Sequence, residues 1–83
     1  QDIPPYIIAG KEPTRYAGIN LVGLRRHGFS NELIELIHNA YRTLYSEGIL
    51  ADGIKKIKSE LQVTPEVQYI IDFVSSSKRG IIR

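Results

Sequence analysis

Eighty-three residues, with 11 Lys+Arg against 9 Asp+Glu and a formal charge of +2, are enough for one domain. A content of 42% hydrophobic and 24% charged residues is that of a globular chain rather than a disordered one. The lack of cysteine excludes a disulfide scaffold, a thiolate zinc site and a cysteine nucleophile, and no apolar run approaches the roughly 20 residues of a membrane span. No signal-peptide pattern opens the chain. It begins at Gln1 and contains no Met, so truncation or processing of something longer is expected.

Residues 1–19 read as extended chain. Pro4, Pro5 and Pro13 remove backbone donors and bias the residues before them away from helix. Short strands are predicted around Tyr6-Ile7-Ile8 and Arg15-Tyr16-Ala17, joined at Gly10-Lys11-Glu12-Pro13. Such a pair is too small to stand alone in water, so it must pack on something else, and pairing between chains or against neighbours is expected.

From Asn20 the pattern is helical. Asn20 caps a short helix, Leu21 to His27, that Gly28 ends. Ser30 caps a longer one over residues 31–47, with Glu32 in its first turn, a Phe29–Ile34 staple and Gly48 as its stop. Leu33, Ile37, Ala40, Tyr41, Leu44 and Tyr45 mark its apolar face. A third helix carries Leu50, Ile54, Ile57 and Leu61 in a narrow stripe, with Lys55, Lys56 and Lys58 on the wet side and Gly53 weakening its first turn. Thr64-Pro65-Glu66 starts a fourth, whose buried stripe is Val67, Ile70, Ile71 and Val74, widened by Tyr69 and Phe73. The tail, Lys78 to Arg83, is basic and apolar-tipped. The fold class is therefore mainly α: a bundle of about four helices preceded by a short extended segment.

Enzyme constellations are scarce. His27 and His38 lie in no metal-ligand spacing, and no nucleophile-elbow, Walker or dinucleotide-binding pattern occurs, so neither a metal nor a cofactor is expected. His38 reads as an ordinary helix histidine. The informative cluster runs from Gly18 to Phe29 and sets Asn20, Arg25, Arg26 and His27 around one short helix. Guanidinium forks and an amide suit a nucleotide diphosphate. Capping by Asn20 and compensation of the helix dipole by Arg25 to His27 explain the same residues structurally.

The order of motifs adds to this. Asp2-Ile3-Pro4-Pro5-Tyr6, Ile8-Ala9-Gly10, Gly18-Ile19-Asn20 and Gly23-Leu24-Arg25-Arg26-His27-Gly28-Phe29 resemble the exit from a left-handed parallel β-helix. With Asn39-Ala40-Tyr41, Leu44-Tyr45, Pro65-Glu66-Val67, Asp72-Phe73 and Arg79-Gly80-Ile81-Ile82-Arg83, the whole chain resembles the C-terminal portion of the bacterial acyl-[acyl-carrier-protein]–UDP-N-acetylglucosamine O-acyltransferases, which begin lipid A synthesis. The resemblance implies a division into residues 1–19, the last part-coil of the β-helix, and residues 20–83, a helical domain. It also implies a cytoplasmic homotrimer that moves a 3-hydroxyacyl chain from acyl carrier protein to the sugar 3-hydroxyl of UDP-N-acetylglucosamine. The catalytic base lies upstream of Gln1 in the family, so residues 1–83 alone are expected to be inactive.

By the same resemblance Asn20 and Arg26 contact the UDP moiety. Val22 stands where the family has glutamate, and His27 where it has an arginine that meets the phosphates. His27 supplies a positive charge only when protonated, so nucleotide affinity should fall as pH rises. Arg42 matches a basic family position for docking the acidic carrier protein, with Lys55, Lys56 and Lys58 as weaker candidates. Nucleic acid is not an expected partner in this family. A nucleic-acid module using Arg25, Arg26 and Lys55 to Lys58, and a purely structural trimerisation cap, are the competing readings. Binding to arbitrary DNA that weakens steeply with salt marks the first.

Overall fold

The computed structural model describes residues 2–10, 15–77 and 80–82. Two short strands, β1 (Ile7–Gly10) and β2 (Arg15–Ile19), precede four helices: α1 (Leu21–Arg26), α2 (Asn31–Tyr45), α3 (Leu50–Glu60) and α4 (Pro65–Ser76). The mainly α class is borne out.

The strands pair antiparallel with each other, Ile7 opposite Ile19 and Ala9 opposite Tyr16, across an irregularity at Ile8. As expected of so small a pair, the strands pack on something else, here the helices of their own chain. Tyr6, Ile7, Tyr16 and Ile19 lie half-buried against the helical core. Tyr41 explains why so small a hairpin holds. Its ring stacks on Tyr16 at 5.7 Å, and its hydroxyl donates to the Pro5 carbonyl. The expected turn at Lys11 to Thr14 lies outside the described residues, as do Gln1, Lys78, Arg79 and Arg83.

Helix starts follow their side-chain oxygens. Ser30 Oγ accepts from Leu33 N–H at 3.1 Å, and Thr64 Oγ1 accepts from Val67 N–H at 3.3 Å. The end of α2 falls at Tyr45, two residues earlier than expected. Both the N–H and the hydroxyl of Ser46 turn back to the Thr43 carbonyl, so the chain leaves the helix there without a left-handed residue at Gly48.

Gly53 has a different role from the one expected. It is buried, and a Cβ there would lie 3.0 Å from both C and Cα of Leu44, closer still to the Leu44 carbonyl oxygen. The glycine is what allows α3 to cross α2 at backbone contact. Ile37, Ala40, Tyr41, Leu44, Ile57, Val67 and Ile70 form the fully buried centre of the core around that crossing. Tyr69 is exposed rather than part of the buried stripe, and only its edge meets Tyr6.

The chain ends are tied together. Asp2 N–H donates to Gly80 O at 2.8 Å and Ile82 N–H to Asp2 O at 3.1 Å, a single parallel bridge. Ser77 Oγ donates to Asp2 Oδ2 at 2.6 Å. Tyr45 Oη donates to Ile82 O at 2.8 Å. Ile81 and Ile82 are thereby buried in the core region rather than left as an apolar tip.

Candidate functional site

The short helix α1 is fixed at both ends by its own sequence. Asn20 N–H donates to the Tyr6 carbonyl at 2.8 Å, and Asn20 Oδ1 accepts from Gly23 N–H at 3.1 Å. Tyr6 holds a left-handed backbone (φ 69), uncommon for a residue with a side chain. Its ring is kept there by Phe29 and Tyr69, with centroids at 5.9 and 6.0 Å. At the far end Gly28 takes φ 81. Its N–H meets Arg25 O and the Phe29 N–H meets Leu24 O, both at 3.1 Å, the paired bonds of a Schellman stop.

Residues on a helix advance by about 100° each, so neighbours in sequence face different ways. Leu24 enters the core. Leu21 and Arg25 border a cleft of about 380 Å³ together with Ile19, Asn31, Glu35 and His38. Val22 and Arg26 stand outward and exposed, and Asn20, Gly23 and His27 follow round on the next face. Arg25 and Arg26, adjacent in sequence, are therefore divided between the cleft and the outer face. Arg26 stands on the outer face and Asn20 and His27 on the face beside it, and all three are exposed. Neither arginine forms an ion pair among the described residues.

A second, larger cleft of about 500 Å³ opens between β2 and α2, lined by Tyr16, His38, Tyr41, Arg42, Tyr45 and Ser46. Tyr16 meets Tyr45 at 5.0 Å, and Tyr45 stacks on Tyr41 at 5.9 Å. Burial raises the Tyr41 phenol far above its usual range, with the neighbouring Tyr45 and Tyr16 adding to the effect. Tyr41 is thus a neutral donor at any physiological pH. Arg42 Nη2 donates to Asn39 Oδ1 at 2.9 Å, and among the described residues no carboxylate pairs with it at the rim.

His38 borders both clefts. Sequence reasoning passed over it and over Tyr16. The signal lay in spacing: His38 and Arg42 are four apart on α2, as are Tyr41 and Tyr45. The three lysines line neither cleft. Lys55 and Lys58 are exposed on α3, and Lys56 Nζ lies 3.7 Å from Glu47 Oε1. Among the described residues no cluster of His, Asp and Glu is placed to hold a metal ion, and no helix is long and apolar enough to cross a membrane.

Comparison with known proteins covers nearly the whole chain. Residues 2–82 match the family model described as UDP N-acetylglucosamine O-acyltransferase, domain 2. The chain is 48% identical over 82 residues to the acyl-[acyl-carrier-protein]–UDP-N-acetylglucosamine O-acyltransferase of a Sulfurihydrogenibium species, covering 98% of this chain and 30% of that one. It is 45% identical over 86 residues to the enzyme of that name from Trichlorobacter lovleyi, covering 99% and 33% respectively. Among solved structures, the UDP-N-acetylglucosamine acyltransferase from Bacteroides fragilis superposes with a TM-score of 0.94 at 58% identity, over 100% of this chain and 33% of that one. The acyltransferase structure from Acinetobacter baumannii superposes with a TM-score of 0.88 at 38% identity, over 99% and 33%. The chain thus spans about a third of the length of these relatives. It belongs to the UDP N-acetylglucosamine O-acyltransferase domain 2 family.

Proposed function

We propose that residues 1–83 are the C-terminal, nucleotide-contacting and carrier-docking region of an enzyme that transfers a 3-hydroxyacyl chain from acyl carrier protein to the 3-hydroxyl of UDP-N-acetylglucosamine. The observation that carries this reading is the superposition on the Bacteroides fragilis acyltransferase over the whole chain at 58% identity. In this reading residues 1–19 finish a β-helix and residues 20–83 form the helical domain. The working enzyme is a cytoplasmic homotrimer, and the general base comes from the preceding part of the chain.

The outer face of α1 and the face beside it meet the UDP moiety. Asn20 has spent its carbonyl oxygen on the Gly23 N–H, which leaves the two Nδ2 hydrogens to donate to a nucleotide oxygen. Arg26, exposed and unpaired among the described residues, offers a fork to a phosphate. His27 caps α1 beside it and offers a ring N–H to the same phosphate. Val22 is 67% exposed on the outer face. An apolar residue there removes the carboxylate that the family pattern carries at this position, so the nucleotide site works through donors alone.

Carrier docking falls to α2. Arg42, with His38 one turn before it, presents positive charge over the tyrosine-lined cleft. That charge steers an acidic carrier by long-range attraction. Lys55, Lys56 and Lys58 extend the positive field along α3.

The test is a chimera in which residues 1–83 replace the matched third of the Bacteroides fragilis enzyme. The chimera is expected to acylate UDP-N-acetylglucosamine from 3-hydroxyacyl carrier protein. A folded, trimeric chimera with no transferase activity would overturn the reading.

A further inference from the structure

We infer that Gly23 is a positioning residue for nucleotide binding, holding the Asn20 amide flat on α1 with its donors turned to the ligand. The inference rests on the proposed contact between Asn20 and the UDP moiety. An idealised Cβ at Gly23 would lie 2.5 Å from Asn20 Nδ2, 2.9 Å from its Cγ and 3.1 Å from Oδ1. The whole amide group therefore occupies the space that any other residue at 23 would fill with its side chain. No backbone reason calls for glycine here. Gly23 does not have a positive φ, unlike Gly18 and Gly28, and alanine would strengthen the helix. What the missing methyl provides is room for the amide.

Two anchors then define the amide. Its oxygen is held by the Gly23 N–H at 3.1 Å, and the Asn20 backbone is held by the Tyr6 carbonyl at 2.8 Å. The Nδ2 group has no hydrogen-bond partner among the described residues, and Asn20 is exposed. It lies over the bare Cα of Gly23, with His27 one turn further along the same face. A nucleotide oxygen approaching this strip meets two amide hydrogens from a group already oriented by its bond to the Gly23 N–H. Preorganisation of that kind raises affinity by lowering the entropy lost on binding.

Gly23→Ala tests this, because its effects on the fold and on the site have opposite signs. The methyl favours helix but evicts the Asn20 amide, which is the flexible end of a side chain and can move away. The variant of the 83-residue chain should therefore unfold at about the parent temperature. In the chimeric acyltransferase it should raise KM for UDP-N-acetylglucosamine about 3- to 10-fold, the worth of one neutral hydrogen bond, with kcat little changed. Asn20→Ala should raise KM to a similar degree, and the double variant should be no worse than Asn20→Ala alone. Unchanged KM in Gly23→Ala, alongside a raised KM in Asn20→Ala, would overturn the role of Gly23 alone. A further loss when Gly23→Ala is added to Asn20→Ala would also overturn it. Unchanged KM in Asn20→Ala would instead overturn the underlying nucleotide contact.

Discussion

Gly53→Ala examines the packing that holds α2, and with it both clefts, in place. The new methyl would sit 3.0 Å from C and Cα of Leu44 and closer still to that residue's carbonyl oxygen. These are backbone atoms in the last turn of α2 and cannot rotate away as a side chain could. The variant must push α3 off α2 beside Leu44 and Ile57, both fully buried. Overpacking of this kind costs about 1–3 kcal/mol, against which the change of glycine to alanine in a helix returns about 0.5–1 kcal/mol. The net loss should be about 1–2 kcal/mol. For a domain of this size that lowers Tm by about 4–16 °C. Thermal unfolding followed by far-UV circular dichroism measures it. Gly48→Ala is the matched control, since nothing lies within 4 Å of a Cβ at that position and its φ is not positive. It should melt no lower than the parent. If Gly53→Ala also melts with the parent, the close crossing of α2 and α3 is wrong.

Other perturbations bear on the tyrosines and on the proposed sites. Tyr41→Phe leaves the Pro5 carbonyl without its donor and should cost about 1–3 kcal/mol at neutral pH in a urea titration. Because burial raises the Tyr41 phenol above the ordinary tyrosine value of 10.0, the folded chain keeps a proton that the unfolded chain releases. The resulting stability is complete below about pH 10 and falls above it by up to about 1.4 kcal/mol per pH unit. Tyr16 and Tyr6 shift in the same direction. Tyr41→Phe should flatten this alkaline decline, and an unchanged slope would refute the assignment. In the chimera, Arg26→Ala should lower kcat/KM for UDP-N-acetylglucosamine by about 10- to 150-fold, as for a charge-assisted hydrogen bond worth about 1.5–3 kcal/mol. Arg42→Ala should raise KM for acyl carrier protein by about 2- to 5-fold, the effect of an exposed charge worth less than about 1 kcal/mol. That effect should shrink as salt is added, while KM for the sugar nucleotide stays at the parent value.

Much of the fold was legible because local chemistry sets it. Ser30, Thr64 and Asn20 cap where their side-chain oxygens predict, and the apolar spacing of α4 names its buried residues. What stayed hidden depends on distance in space. Gly53 reads as a weak point in a helix until Leu44 is seen against it. Tyr16 reads as a strand residue until α2 brings Tyr41 and Tyr45 beneath it. The need of residues 1–19 for a packing surface was legible from the small apolar area of the hairpin, but the face that α2 turns to it was not. For the candidate site the residue types were legible but their grouping was not. Arg25 and Arg26 form one basic cluster in sequence, and helical geometry sends the first to a cleft and leaves the second on the outer face.

That separation gives the account its sharpest test. A crystal structure of the chimera with UDP-N-acetylglucosamine bound should place a nucleotide oxygen within hydrogen-bond distance of Asn20 Nδ2 and a phosphate on the Arg26 guanidinium. A nucleotide seated instead in the cleft beside Arg25, with Asn20 and Arg26 facing solvent, would contradict it.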